Sequence, residues 1–270
     1  TSDWPLSNGQ FFPKMVGNLF WEHGHRLVAT TVGLLTIVLA VCLQIRERRS
    51  WVKWLGWIAL GGVVAQGLLG GLTVKMNLPL AVSAAHATLA QLFFLTTVSL
   101  AVFTSRSWVV PTVSASEDGQ NVSLRALCVA SLAVILAQLV LGATLRHSAT
   151  WDQPLPTGLL LAHIGGAVTV TVVLGVTVAT ALLRHRSEAY LTRPALVAAG
   201  FLIIQLLLGL GAYITRAASP NDPQPLNPMI SITVAHVACG ALVFAATIVL
   251  TLRAFRVLRV ERQTYVLAPA

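Results

Sequence analysis

Seven apolar stretches dominate the chain, and each reaches the roughly 20 residues that an α-helix needs to cross a lipid bilayer. Only 10% of the 270 residues are charged, where a soluble domain carries about a quarter, and the mean hydropathy is +0.77. The sequence therefore predicts an all-α polytopic membrane protein with seven transmembrane helices. The stretches lie at 27–45, 54–73, 80–104, 126–145, 157–183, 194–215 and 229–252.

Basic residues divide unequally between alternate connectors. Since Lys and Arg concentrate on the cytoplasmic side of membrane proteins, the richer set is expected in the cytoplasm. The N-terminus is then outside and the C-terminus cytoplasmic, in a bacterial inner (plasma) membrane, and the net charge of +9 needs no nucleic acid partner. The richer set is Arg46, Arg48, Arg49, Lys53, Arg106, Arg125, Arg184, Arg186, Arg193, Arg253, Arg256, Arg259 and Arg262. The other set is Lys14, Arg26, Lys75, Arg146 and Arg216.

Four histidines fall near the outer side of the predicted bundle. His86, His163 and His236 each lie about two turns inside a span that enters from outside, roughly 10 Å below the rim. His25 stands just before the first span. One such histidine could simply hydrogen-bond a neighbouring helix. Several at matched depth favour axial coordination of a haem, because two facing helices must present nitrogens to one iron.

The chain repeats itself weakly, with Gln66 and Gly70 in the second stretch matched by Gln205 and Gly209 in the sixth. The repeat pairs the histidines as His25 with His86 and His163 with His236. We expect an N-terminal repeat at 1–110, a cytoplasmic linker at 111–123 and a C-terminal repeat at 124–270. The second repeat has an additional first helix, carrying Gln138 and Gly142. This predicts an eight-helix design of two parallel four-helix repeats, with a first helix before Thr1 that is missing here.

A carboxylate lies beside the first histidine. If the helix already begins near Asn18, Glu22 and His25 share one face, with Arg26 one turn from Glu22. Glu22 could then move a proton or stabilise positive charge that develops in a substrate. It could equally serve as a helix-start acid or an ion-pair partner of Arg26.

Several motifs together resemble the haem A synthase family (the CtaA/Cox15 type). The resemblance runs through the chain in order, and its motifs lie at 3–9 (DWPLSNG), 22–29 (EHGHRLVA), 66–74 (QGLLGGLTV), 86–91, 142–147, 163 and 236–241. It implies an oxidoreductase that converts haem O to haem A for cytochrome oxidase, by oxidising a methyl group to a formyl group.

The resemblance also implies a role for each site residue. His163 and His236 would hold a haem b cofactor, His25 and His86 would hold the substrate haem O beside Arg26, and Glu22 would be catalytic. Expected partners are haem O, membrane lipid and, as further candidates, the haem O synthase and a second copy of the chain. Outer basic residues could bind haem propionates or anchor the helices at the interface. They are Lys75, Arg146 and Arg216.

The chain departs from the family at the cysteines. Some members carry a cysteine pair around the Asp-Trp-Pro-Leu segment, where this chain has Thr1 and Ser7, so no mechanism through those thiols is expected. Two other functions remain open. One is a bis-histidine electron carrier resembling cytochrome b561, disfavoured because the ligands lie on one face. The other is a non-catalytic haem-binding assembly subunit.

Overall fold

The computed structural model describes residues 4–109, 116–118, 123–148, 155–218 and 227–260. These ranges contain eight helices and two three-residue strands. In chain order they are α1 (Asn18–Arg46), α2 (Ser50–Lys75), α3 (Leu80–Thr104), α4 (Arg106–Val109), β1 (Ser116–Asp118), α5 (Leu124–Ser148), α6 (Thr157–Arg184), α7 (Ala189–Ala217), α8 (Asn227–Val257) and β2 (Leu258–Val260).

The seven predicted spans are confirmed. Within the described ranges, seven helices are long and apolar enough to cross a membrane. Large apolar side chains stay exposed along them, with Leu34 60%, Ile58 60% and Ile203 61% exposed. A soluble protein would bury most such side chains, whereas a membrane protein turns them to lipid. The chain is therefore an all-α, multi-pass membrane protein.

The first helix begins more than two turns before the apolar stretch that predicted it. The stretch starts at 27, but α1 starts at Asn18, after Gly17 in a left-handed conformation (φ 60°). Hydropathy detects only the lipid-facing part, whereas backbone hydrogen bonding carries a helix through polar residues as well. The polar residues 22–26 therefore belong to α1. Glu22 and His25 can share one helix face only if the helix begins this early.

The first compact unit comprises residues 1–104 and 139–163. In it α2 packs against both α1 and α3. A small core of Leu43, Val52, Ala59 and Leu100 lies where the three helices meet. Gly56 permits close packing there, because an added Cβ would stand 2.8 Å from Leu43 Cδ1.

The connector between α1 and α2 is held by an ion pair. Arg49 donates from Nη2 and Nε to the Glu47 carboxylate at 2.7 and 2.9 Å, and its Nη2 also donates to the Phe103 carbonyl oxygen at 2.9 Å. The hydrogen bonds from Arg49 lower the pKa of Glu47 to about 2. This pair therefore ties the connector to the end of α3.

The second compact unit comprises residues 105–138 and 164–270, and in it α7 packs on α8. β1 pairs with β2 in parallel, with Ser116 opposite Leu258. Asp118 at the end of β1 is buried, and its Oδ1 accepts the backbone N–H of Leu124 at 2.7 Å, which caps the start of α5. The predicted repeats 1–110 and 124–270 stay predictions. Most of the predicted linker 111–123 lies outside the described residues.

Candidate functional site

Glu22 and Arg26 form an ion pair on the first turns of α1. Arg26 Nη2 donates to Glu22 Oε1 at 2.5 Å, across one turn of the helix. The side chains are 15% (Arg26) and 32% (Glu22) exposed, so the carboxylate keeps some access to its surroundings. His25 is exposed and lies three residues after Glu22, hence on the same face of the helix. The predicted grouping of these three residues is present.

Arg26 also holds the chain that precedes α1. Its Nη1 donates to the Leu6 carbonyl oxygen and, at 3.1 Å, to the Ser7 hydroxyl. We call residues 4–10 the N-terminal segment. At its start Trp4 packs on α2, where an added Cβ at Gly71 would stand 2.6 Å from the indole ring. The Lys75 ammonium lies 5.9 Å from the same ring. The segment is therefore fastened to both α1 and α2.

His23, the neighbour of Glu22 in sequence, contacts the N-terminal segment. It is buried, and its Nδ1 lies 3.0 Å from the hydroxyl of Ser7, which is buried as well. Neither residue was predicted to be functional, since nothing in their spacing in the sequence marks them. The contact depends on the N-terminal segment folding back onto α1.

His86 on α3 faces a glycine of α2. A Cβ added to Gly70 would stand 3.0 Å from Cε1 of the His86 ring, so the imidazole lies directly against the α2 backbone. The side-chain amide nitrogen of Gln66, one turn earlier on α2, lies 3.4 Å from Nε2 of His86. The imidazole thus packs against a glycine and lies beside a glutamine side chain, which are at spacing i, i+4 on α2.

His236 on α8 sits in the same way against α7. A Cβ at Gly209 would stand 3.0 Å from its Cε1. The amide nitrogen of Gln205 lies 3.3 Å from Nε2 of His236. In addition, Nδ1 of His236 donates to the backbone carbonyl oxygen of Gln205 at 3.2 Å. Because a carbonyl can only accept, Nδ1 carries the proton and Nε2 keeps its lone pair.

His163 on α6 repeats the glycine contact. A Cβ added to Gly142 of α5 would stand 2.9 Å from its Cε1. Gln138 lies one turn before Gly142, and its side chain packs against Gly166 of α6. Three of the four predicted histidines therefore lie against a glycine of the preceding helix.

Of the two predicted histidine pairs, only the first lies within a single compact unit. His25 and His86 belong to one compact unit and lie close enough for their charges to interact. His147 lies in the last turn of α5 and within electrostatic range of His86. His163 and His236 belong to different units and are described separately, so their pairing stays a prediction.

The three basic residues predicted as propionate partners lie at helix ends. Lys75 is in the last turn of α2, Arg146 in the last turn of α5 and Arg216 in the last turn of α7. A positive charge there is stabilised by the helix dipole, which accounts for the position without a ligand. In the described part of the chain, no three His, Cys, Asp or Glu side chains group to hold a metal ion.

Comparison with known proteins assigns the family. A family model described as cytochrome oxidase assembly protein (COX15-CtaA) matches residues 4–152, which include the N-terminal segment, Glu22, His25 and His86. The chain belongs to this family. A haem A synthase of Symbiobacterium thermophilum is 31% identical over 178 residues, covering 62% of this chain and 57% of that protein. The match thus spans a little over half of the relative's length. No solved structure matches the chain.

The described residues fit a haem held by histidine in this COX15-CtaA chain. An axial ligand needs a neutral imidazole whose Nε2 lone pair is available, with the other nitrogen hydrogen-bonded to fix the tautomer. In His236 the carbonyl oxygen of Gln205 fixes the proton on Nδ1, and Nε2 faces the side-chain amide of Gln205, whose place an iron ion would take. The glycines facing His86, His163 and His236 let each ring lie directly against the backbone of the preceding helix.

Proposed function

We propose that this chain is a haem A synthase, which oxidises the methyl group of haem O to a formyl group within the membrane. The observation that carries the proposal is the Glu22 carboxylate, held by Arg26 on the helix face that also presents His25. Family membership and the haem A synthase relative support the substrate class. The substrate haem O would be bound by His25 and His86.

The cofactor in this proposal is haem b. Its ligands would be His163 and His236, and when bound it supplies one-electron transfer to the site. Gly142 and Gly209 hold the two rings in place from the preceding helices. The basic residues Arg26, Lys75, Arg146 and Arg216 would face propionates on the outer side, with the C-terminus in the cytoplasm.

The overall reaction adds one oxygen atom and removes two hydrogen atoms from the methyl group. With water as the oxygen source, it releases four protons and four electrons, and an external electron acceptor takes up the electrons. The alcohol is the halfway product, after two electrons and two protons. Each half therefore needs a group that accepts protons near the reacting carbon.

In this proposal Glu22 takes that role. It is partly exposed, and a carboxylate can accept a proton and stabilise positive charge that develops at the reacting methyl. Arg26 orients it through the 2.5 Å bond and is itself fixed by the N-terminal segment. A flexible surface carboxylate would lack this orientation.

Pigment extraction from purified protein tests the proposal. In a host that makes haem O, the wild-type protein should carry haem B together with haem O, the alcohol or haem A. Glu22→Gln should keep haem B and haem O but contain no haem A. Glu188→Gln, a matched change in the connector before α7, should leave haem A formation intact. Wild-type protein that contains only haem B would overturn the proposal.

The haem b site has a separate test. His163→Ala and His236→Ala should each remove the low-spin bis-histidine spectrum of the cofactor haem, whereas Glu22→Gln should not. An unchanged spectrum in both histidine variants would reject the assignment of these ligands.

The family description favours a second candidate function, a haem-binding assembly subunit without catalysis. Glu22 separates the two functions. An assembly subunit would hold haem and support cytochrome oxidase formation equally well with Glu22→Gln. The synthase would lose haem A, and with it the oxidase, in that variant.

A further inference from the structure

One arrangement occurs three times in the described residues. A helix carries a glutamine and, four residues later, a glycine, and the following helix places a histidine against that glycine. The three sets are Gln66, Gly70 and His86; Gln138, Gly142 and His163; and Gln205, Gly209 and His236.

The ring approaches the glycine with the same edge each time. From the position of an added Cβ, the distance to Cε1 is 3.0 Å at Gly70, 2.9 Å at Gly142 and 3.0 Å at Gly209. The two ring nitrogens lie farther away, at 3.5 to 3.9 Å. Each imidazole therefore points Cε1 at the glycine, with one nitrogen on either side. A methyl group at the glycine would push the ring away by a few tenths of an ångström.

The spacing has a physical reason. In an α-helix the carbonyl of residue i points at residue i+4, so the side chain at i+4 partly covers it. Glycine at i+4 leaves that carbonyl open to a second donor. Gly209 thereby uncovers the Gln205 carbonyl oxygen, which accepts Nδ1–H of His236 at 3.2 Å. In the first set Nδ1 of His86 makes no hydrogen bond to a described residue.

The side-chain amide of the glutamine lies beside Nε2, the second nitrogen of the histidine ring. Its amide nitrogen lies 3.3 Å from Nε2 of His236 and 3.4 Å from Nε2 of His86. An amide N–H and an iron ion would use the same lone pair, so only one of them can hold it. The amide of Gln205 packs near Gly240, where an added Cβ would stand 3.2 Å from it. The side chain is thus a replaceable neighbour of Nε2, while the backbone carbonyl is a fixed one.

We propose that the glycine of each glutamine–glycine pair is a positioning residue for the haem histidine that faces it. Gly209 uncovers the Gln205 carbonyl, which fixes the proton on Nδ1 of His236 and so makes Nε2 the iron ligand. At all three positions the glycine lets the ring lie against the helix backbone, which sets the plane of the ring. Gly70, Gly142 and Gly209 are the residues concerned. The inference rests on the proposed function, in which these histidines bind haem.

Electron paramagnetic resonance of the haem-loaded protein tests the glycine. The low-field signal of a bis-histidine haem responds to the orientation of the imidazole planes, so Gly209→Ala should shift it. Gly200→Ala on the same helix is the control, because an added Cβ there meets nothing within 4 Å. It should leave the signal in place. Gly70→Ala, with Gly67→Ala as its control, should act on the other haem.

Gln205→Leu separates the carbonyl from the side chain. It keeps the backbone carbonyl and Gly209, so the signal should stay where it is in the wild type. A shift as large as that of Gly209→Ala would mean that the amide orients the ring, and would overturn the proposal. An unchanged signal in Gly209→Ala would overturn it as well. Failure of the proposed function is distinguishable, since the wild-type protein would then contain haem B without haem O, the alcohol or haem A, whereas the comparison of Gly209→Ala with Gly200→Ala needs only a bis-histidine haem.

Ligand replacement keeps the inference testable if Gly209→Ala does not fold. In His236→Gly, added imidazole should restore the low-spin spectrum, because its second N–H can donate to the Gln205 carbonyl. Added 1-methylimidazole has no such N–H, and loss of a bond of this kind costs about 10- to 100-fold in metal affinity. It should bind more weakly by that factor. Equal rescue by the two ligands would contradict the role of the carbonyl.

Discussion

The Ser7 hydroxyl lies 3.0 Å from Nδ1 of His23, and both side chains are buried. This contact joins the N-terminal segment to α1 one residue away from Glu22. The same hydroxyl accepts a hydrogen bond from Arg26, which in turn holds Glu22. The orientation of the carboxylate therefore depends on a segment outside the membrane-spanning helices.

Ser7→Ala should destabilise the folded protein by about 1–3 kcal/mol, because it leaves buried polar groups of His23 without a partner. Nε2 of His23 already lacks a hydrogen-bond partner among the described residues. Unfolding in detergent measures the change. Gln10→Ala is the control, since that side chain is exposed and only its backbone pairs with Ser7. Equal stability of the two variants would contradict the contact.

Gly71→Ala should displace Trp4 from α2. The added methyl would stand 2.6 Å from a rigid indole ring, and overpacking of this kind costs about 1–3 kcal/mol. The thermal midpoint in detergent should fall for Gly71→Ala but not for Gly61→Ala, where an added Cβ meets nothing within 4 Å. Similar midpoints in both variants would show that the indole ring does not pack there.

Acid should remove the stability that Glu47 supplies. Its pKa in the folded protein is lowered to about 2, from an ordinary value of 4.5, so its contribution is present above pH 4.5 and is lost as the pH falls towards 2. Glu47→Gln should be less stable than the wild type at pH 7, and the two should converge in acid. A difference that stays constant from pH 7 to pH 3 would argue against the Arg49 pair as its source.

Substitutions at Ser131 and Thr177 should have non-additive effects on the free energy of unfolding. Their hydroxyl oxygens lie 2.8 Å apart in the second unit, and both side chains are fully buried. Hydrogen bonds between membrane helices contribute about 0.6 kcal/mol on average and up to about 1.7 kcal/mol. A double-mutant cycle with Ser131→Ala and Thr177→Val should give a coupling in this range. Additive effects would show that the two hydroxyls are independent.

Much of this structure could be predicted from the sequence because lipid imposes a simple rule on composition. The length of the apolar stretches predicted all seven helices. The matched depth of the histidines along those helices indicated His25, His86, His163 and His236 as haem ligands. Hydropathy did not detect the start of α1, because residues 22–26 are polar although the helix runs through them. The glutamines and glycines were visible as a repeat.

What the glycines contact was not visible, because that depends on how one helix is rotated against the next. The i, i+4 spacing of Gln and Gly, found three times before a histidine helix, was the available signal. The Ser7–His23 contact left no pattern at all, since it joins a non-helical segment to a helix.

The pairing of β1 with β2 has a consequence for synthesis. The first strand leaves the ribosome before α5, while its partner follows the last membrane helix. Residues 116–118 therefore cannot pair with β2 until α5, α6, α7 and α8 have been synthesised. The pairing of β1 with β2 can therefore form only after Leu258–Val260 has been synthesised, when the helices of the second unit are already in the membrane.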